Sequence, residues 1–221
     1  MSLLVGLGVG AAVVLSGVAA YGYAGGFRNV RAQEGDIGLA GKTAMLKIQV
    51  GPYEKLSPLF TEVFELECSP DVRRLGIYFD DPMDMKKEFG DCEGSRAMVG
   101  VVLEDIPAEE REAFASKLTA AGFEKYTLVS GNCLYSKFRL RCWPMFVPSL
   151  LLYLKKVYGE LHRAADAKGA HLKYIIEVYE ETYNVITYAP LEASTLSQME
   201  YPSIKALDPR TLRSAEPKKD A

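Results

Sequence analysis

Histidine, cysteine and tryptophan are the scarce residues of this chain: two His, four Cys and one Trp among 221 residues. His162 and His171 have no HExxH neighbour, and Cys68, Cys92, Cys133 and Cys142 show no CxxC spacing. These absences exclude the common zinc ligand sets and a disulfide framework. In a reducing compartment the cysteines are free thiols; in an oxidising one, Cys133 and Cys142 are the pair that a hairpin would bring together. There is no Gly-x-Ser-x-Gly, and no Cys–His arrangement suggests a nucleophile. Basic residues are not in excess. Lys and Arg total 26 against 29 Asp and Glu, a net charge of -3. That balance argues against a nucleic-acid binder held by a broad basic face. Asn29, Asn132 and Asn184 all fail as glycosylation acceptors, which accords with a body facing the cytosol.

The longest absence is of charge. Met1–Phe27 holds no Asp, Glu, Lys, Arg or His. Within it, Leu3–Tyr23 is built mainly of Leu, Val, Ala and Gly. A helix of about 20 residues crosses the ~30 Å hydrocarbon core of a bilayer. Tyr21, Tyr23 and Phe27 gather at the far end like an interfacial belt, and Arg28 and Arg31 are the first fixed positive charges. The expectation is a transmembrane signal anchor over 1–27, with the body in the cytosol. The alternative is a cleaved signal peptide with small residues near Val18–Ala20, although such a segment normally starts basic. Two motif matches here are empty. Gly6-x-Gly8-x-x-Ala11 lies inside the apolar run and follows no strand, and Gly41-Lys42-Thr43 has Asp36 where a phosphate loop needs glycine.

The body reads as two similar halves. Residues 28–41 are Gly-rich and weakly patterned, and are expected as a linker. Thr43–Val50 alternates with period two and predicts a strand. Glu54–Phe64 predicts a helix, with Leu56, Leu59, Phe60, Val63 and Phe64 on one face. Leu75–Phe79 predicts a strand, Met83–Ser95 a charged loop, Arg96–Glu104 a strand, and a short helix follows Pro107. In the second half, Phe123–Val129 and Leu134–Leu140 read as strands around a Ser130-Gly131-Asn132 turn. A long helix runs from about Pro148 to Lys168, with an apolar stripe of Leu150, Leu154, Val157, Tyr158, Leu161 and Ala165. Leu172–Tyr179 and Tyr183–Tyr188 predict a hairpin. The fold class is α+β: a duplicated strand–helix–strand–strand domain over 42–193 with an antiparallel sheet, then a short polar tail over 194–221, expected to be disordered.

That plan resembles the gyrase-inhibitor-like (GyrI-like, SOUL-related) ligand-binding domain. The stretches that carry the resemblance are Val50-Gly51-Pro52-Tyr53-Glu54, Gly76-Ile77-Tyr78-Phe79-Asp80-Asp81-Pro82 and Ile176-Glu177-Val178-Tyr179. With an apolar helix in front, Arg28-Asn29-Val30 and Leu59-Phe60-Thr61-Glu62, the order is similar to that of the testis-expressed protein 264 family of animals. The resemblance implies a single-pass protein of the endoplasmic-reticulum membrane, with its domain in the cytosol and a presence at the nuclear envelope and autophagosome. It implies an adaptor or receptor for selective autophagy of the reticulum, bound by Atg8/LC3-family proteins through an aromatic-x-x-aliphatic motif in an acidic tail. It also implies work with the p97 ATPase in clearing DNA–protein adducts. No cofactor is implied; the expectation is a protein that is not an enzyme, with Glu177 leaving hydrolase activity as the alternative. This tail is short, and its candidate for Atg8 is Tyr201 with Ile204, separated by a Pro202 that cannot donate to an added strand.

The candidate cleft residues centre on Glu177, which shares a strand face with Ile175 and Tyr179. A carboxylate on an apolar face is costly unless paired or wet. The resemblance implies that Glu177 sits in a central cleft where bacterial relatives meet cationic drugs and a few relatives hydrolyse cyclopropanoids. Glu177 would then face a cationic ligand, or act as a general base, with Tyr78, Tyr179, Tyr183 and Trp143 as aromatic walls. The plainer alternatives are a structural glutamate and a Trp143 that packs the start of the long helix. Lys155, Lys156, Arg163, Lys168 and Lys173 read as a solvated face, or as a contact for anionic headgroups or DNA. Three readings remain open: a membrane-anchored adaptor, a tethered binder of cationic aromatic molecules, and a hydrolase in the same cleft.

Overall fold

The computed structural model describes residues 15–36, 38–128, 133–170, 172, 174–180, 184–190 and 207–209. They form one antiparallel sheet of eight strands: β1 (Gln33–Gly35), β2 (Thr43–Val50), β3 (Arg74–Tyr78), β4 (Arg96–Val102), β5 (Glu124–Thr127), β6 (Cys133–Arg139), β7 (Ile175–Glu180) and β8 (Asn184–Pro190). Five α-helices lie wholly within the described residues: α1 (Ser57–Phe64), α2 (Pro82–Phe89), α3 (Ala108–Ala120), α4 (Phe146–Tyr153) and α5 (Gly159–Asp166). Leu154–Tyr158 is a π turn that joins α4 to α5.

The sheet order is β1-β6-β8-β7-β3-β4-β2-β5. The two halves therefore mirror each other, β2-β4-β3 against β6-β8-β7, and meet where β3 pairs with β7. At that seam Gly76 stands opposite Glu177. On one face, α1 and α3 cover β2 and β4 through Met45, Val99, Val101, Leu59, Val63 and Leu118. On the same face, α4 and α5 cover β6 and β8 through Leu134, Phe138, Val185, Tyr153, Val157 and Leu161. The seam lies between these two helical covers. The cluster on the other face draws no residue from a helix, yet Leu46, Leu75, Ile77, Met98, Val178 and Tyr188 are buried in it. Residues from both ends of the sheet share this cluster, Tyr126 of β5 and Cys133 of β6 included. The sheet therefore curls around its own apolar side chains, as the handed twist of strands favours.

Several elements depart from the sequence expectations. The expected linker over 28–41 contributes β1, an edge strand paired with Gln33 opposite Tyr135. The expected loop Met83–Ser95 opens as α2. Asp81 caps it by accepting a 2.6 Å hydrogen bond from the Met83 amide, Pro82 occupies its first turn, and Gly90 ends it at φ 81°. Only Met85 is buried on α2, so the apolar period that betrays a helix is missing. β5 and β6 do not form a hairpin: β5 pairs with β2 at one edge, while β6 lies between β1 and β8. Cys133 and Cys142 lie beyond each other's reach. β6 separates them by six residue steps of ~3.3 Å, whereas a disulfide needs Cα atoms within about 7 Å. All four cysteines are free.

The expected membrane span falls largely on 1–14, outside the described residues. Residues 15–23 are helical, and no helix among the described residues is long and apolar enough to cross a membrane. Within the segment expected as tail, Asp208 and Pro209 are buried. Asp208 meets Arg96 Nη1 at 3.4 Å, while Asp80 holds the same guanidinium at 2.7 Å and 2.9 Å.

The π turn also corrects the predicted stripe. The buried positions of the long helix are Ser149, Tyr153, Val157, Leu161 and Ala165, one every four residues. In an α-helix a four-residue step drifts about 40° around the axis, so such a series would leave the core. The wider π turn takes up that drift midway. Leu154 is displaced to 42% exposure, and Tyr153 takes the inward place. The expected outcome in urea denaturation is that Leu161→Ala costs about 2–5 kcal/mol, while Leu154→Ala stays within about 1 kcal/mol.

Candidate functional site

Glu177 projects from β7 at the seam, on the helix-bearing face, and is 4% exposed. Glycine opposite it leaves space: a Cβ on Gly76 would stand 3.1 Å from the Tyr78 hydroxyl and from the Phe60 ring. Into that space four phenols converge. Tyr153 and Tyr158 donate to Oε1 at 2.5 and 2.8 Å. Tyr78 donates to Oε2 at 3.0 Å, and Tyr179 donates to the same oxygen. Since Tyr153 gives its proton to Glu177, the contact at 2.6 Å to Thr187 is a hydroxyl of Thr187 donating to the Tyr153 oxygen.

Each element supplies its part for a local reason. The two-residue period of β7 puts Glu177 and Tyr179 on one face, and register places Thr187 of β8 opposite Glu177. Tyr78 lies two residues after Gly76 on β3 and so shares that face. Tyr153 and Tyr158 are five residues apart. In a regular α-helix they would point about 140° from each other. The π turn between them, with its i→i+5 repeat, brings both to Oε1.

The aromatic surround extends to α1. The Tyr179 ring meets the edges of Phe60 and Phe64 at 5.6 Å, and Tyr53 meets Tyr78 at 5.1 Å. Tyr53 is fixed in turn by donating to the Asp80 carbonyl at 2.8 Å. Tyr78, Tyr158 and Tyr179 are half-buried, so the cluster reaches the surface. Arg74, two residues before Gly76, lies over the Phe64 ring and donates to Val72 and Cys68. None of the described ion pairs involves Glu177. Ser136, opposite Thr187 on β6, is buried with no hydrogen-bond partner among the described residues.

Energetically the cage is self-consistent. A buried carboxylate loses several kcal/mol of hydration. A hydrogen bond to a charged group returns about 1.5–3 kcal/mol, so four of them offset the loss. A carboxylate has about four lone-pair sites and donates nothing, and these four donors fill it. Burial, and then the Glu177 charge, hold the Tyr78, Tyr153, Tyr158 and Tyr179 phenols well above the ordinary tyrosine range. The cage therefore stays protonated where free tyrosine ionises.

Of the residues expected from the sequence, Glu177, Tyr78 and Tyr179 are brought together. Trp143 takes no part in the cage and is 82% exposed. Tyr183, Tyr201 and Ile204 lie outside the described residues. The sequence reading missed Tyr153 and Thr187, and counted Tyr158 as core. The i,i+5 spacing of the two tyrosines gives no signal on an α-helical wheel. Among the described residues no group of acidic, His or Cys side chains has the makings of a metal site.

Comparison with known proteins adds fold likeness at low identity. No family model matches the chain, and no curated protein matches it. Among solved structures it is similar to a hydrolase from Listeria innocua, at 12% identity over 73% of this chain and 92% of that one, TM-score 0.40. It is similar to the EcmrR C-terminal domain, at 12% identity over 76% and 99%, TM-score 0.42. It is also similar to an integron cassette protein from the mobile metagenome of Vibrio cholerae, at 10% identity over 75% and 100%, TM-score 0.40. Likeness of this degree transfers neither activity nor ligand. The GyrI-like and testis-expressed protein 264 resemblances are carried by the quoted motifs alone.

The cage sets a pH dependence. The folded chain keeps phenol protons that the unfolded chain releases near pH 10. Stability is therefore full below about pH 10 and falls as pH rises further. Absorbance at 295 nm is expected to show the four cage tyrosines ionising only with unfolding. In Glu177→Gln, which removes the negative charge, alkaline ionisation is expected at lower pH.

Proposed function

We propose that this chain is a binding domain for a small organic cation, whose charge is met at Glu177 and whose body lies against the tyrosine rings. The observation that carries the reading is the cage itself: a negative charge held at the floor of an aromatic cluster by neutral donors, with no basic side chain in ion pair. Such a charge attracts a cation, and the π faces of Tyr78, Tyr158 and Tyr179 add to that attraction. The filled lone-pair sites narrow the class. A primary ammonium or guanidinium must displace a hydroxyl to reach the carboxylate. A quaternary ammonium carries no N–H and pairs with the charge through space, leaving the cage intact.

The same filling weighs against general-base chemistry. Glu177 would have to shed one phenol before accepting a substrate proton. The adaptor reading draws on motif order and on Tyr201 and Ile204, and no described residue adds to it.

The test is charge discrimination. Benzyltrimethylammonium and its uncharged carbon isostere, neopentylbenzene, have the same shape. The cation is expected to bind at least about tenfold tighter, a difference of about 1.4 kcal/mol, and to raise the melting temperature. In Glu177→Gln the preference is expected to vanish. Equal affinity of the two compounds for the unaltered protein overturns the proposal.

A further inference from the structure

A second surface stands apart from the cage. Val147, Leu151 and Leu154 follow one another at helical spacing along α4 and its π turn, and all three are exposed, at 53%, 62% and 42%. Phe146 is exposed beside them, and Trp143, in the turn that leads into α4, is 82% exposed. Among the described residues nothing covers this row. Large apolar side chains in one contiguous exposed row mark a contact surface rather than scattered surface residues.

The chain before β1 carries further exposed apolar side chains. Tyr21, Tyr23 and Phe27 are exposed, as are Leu15 and Val18 of the helical segment over 15–23. This segment is strapped to the domain at the start of α4. Arg141 donates to the Tyr23 carbonyl at 2.9 Å, and its guanidinium lies 4.7 Å from the Tyr23 ring centroid. Arg28 donates to the Arg139 carbonyl at 2.7 Å. Lys156 donates to the carbonyls of Gly26 and Arg28, the latter at 2.9 Å. These contacts hold the segment beside Arg141 and Lys156, which flank α4 in the sequence.

The border has one sign. From Leu140 to Gly159 the sequence has no Asp or Glu, while Arg141, Lys155 and Lys156 fall within it. Arg28 and Arg31 follow the uncharged stretch 1–27. In a chain of net charge -3 this is a local reversal. An apolar, aromatic row edged by Lys and Arg fits the boundary between acyl chains and anionic headgroups.

We propose that the exposed face of α4, together with Tyr21, Tyr23 and Phe27, rests in the interface of an anionic lipid membrane and fixes the orientation of the domain on it. The proposal goes beyond ligand binding and stands whether or not Glu177 takes a cation. It needs no helix that crosses the bilayer, only one that reaches it.

Trp143 is the single tryptophan of the chain, so its fluorescence reports on this surface alone. The full chain is mixed with vesicles of phosphatidylcholine plus phosphatidylserine, with and without bromine-labelled acyl chains. The expected result is a blue shift of Trp143, quenching by the brominated lipid, and loss of most of both in high salt or in pure phosphatidylcholine. Leu151→Glu and Leu154→Glu change exposed positions. They are expected to keep the melting temperature and to lose the quenching several-fold. Two results overturn the proposal. In the first, the protein is on the vesicles but Trp143 remains open to iodide and unquenched by bromine. In the second, Trp143 is shielded from iodide without lipid and sedimentation shows a dimer, which assigns the face to a second copy of the chain.

Discussion

The charge of Glu177 constrains much of this structure. A buried carboxylate with no cationic partner must be satisfied by hydrogen bonds or be expelled. Four phenols and, behind them, Thr187 meet that demand, and they come from β3, β7, β8 and both ends of the π turn. One side chain therefore links the two halves of the domain across their seam. The π turn follows from the same demand. It costs regular α-helical hydrogen bonding, and in return it presents Tyr153 and Tyr158 to one oxygen.

The pseudo-symmetry of the halves explains why such a place exists. Each half covers its own strands with its own helices, through separate apolar clusters. The seam between β3 and β7 lies outside both clusters and is reached only by tyrosines from the second half and by Phe60 and Phe64 from α1. Gly76 deepens it, and Phe60 and Phe64 reach over from α1 to close its side. Polar chemistry is tolerated there because the phenols that border both clusters turn their hydroxyls to the carboxylate. The other face, by contrast, is taken up by the apolar cluster that the sheet curls around.

The strand–helix–strand–strand order was legible because Thr43–Val50, the β3 and β4 segments and the β7–β8 pair alternate or run apolar in short stretches bounded by Gly, Pro and Asp. Glu177 was legible as a carboxylate on an apolar face, and Tyr179 by its period-two relation to it. What was not legible depends on distance in sequence or on irregular geometry. The separation of β5 from β6 is a matter of long-range pairing, invisible in the turn-like Ser130-Gly131-Asn132. α2 hid behind its charges, although Asp81, Pro82 and Gly90 spelled its two ends. Tyr153 was hidden by the π turn, because a wheel drawn at 3.6 residues assigns its inward place to Leu154. Trp143 was the reverse case, an aromatic whose chemistry suggested a wall and whose position is open to solvent.

The docking of Asp208 has a mechanical side. The segment before β1 is tied to the second half, through Arg141, Lys156 and the Arg139 carbonyl. Leu207–Pro209 come to rest against the first half, with Asp208 on Arg96 and Pro209 against Gly94. The two ends of the described chain are thus anchored on opposite sides of the seam. Tension between them would be carried across the β3–β7 ladder and the cluster the sheet wraps around, not along either half alone. The strand bearing Glu177 lies in the middle of that path.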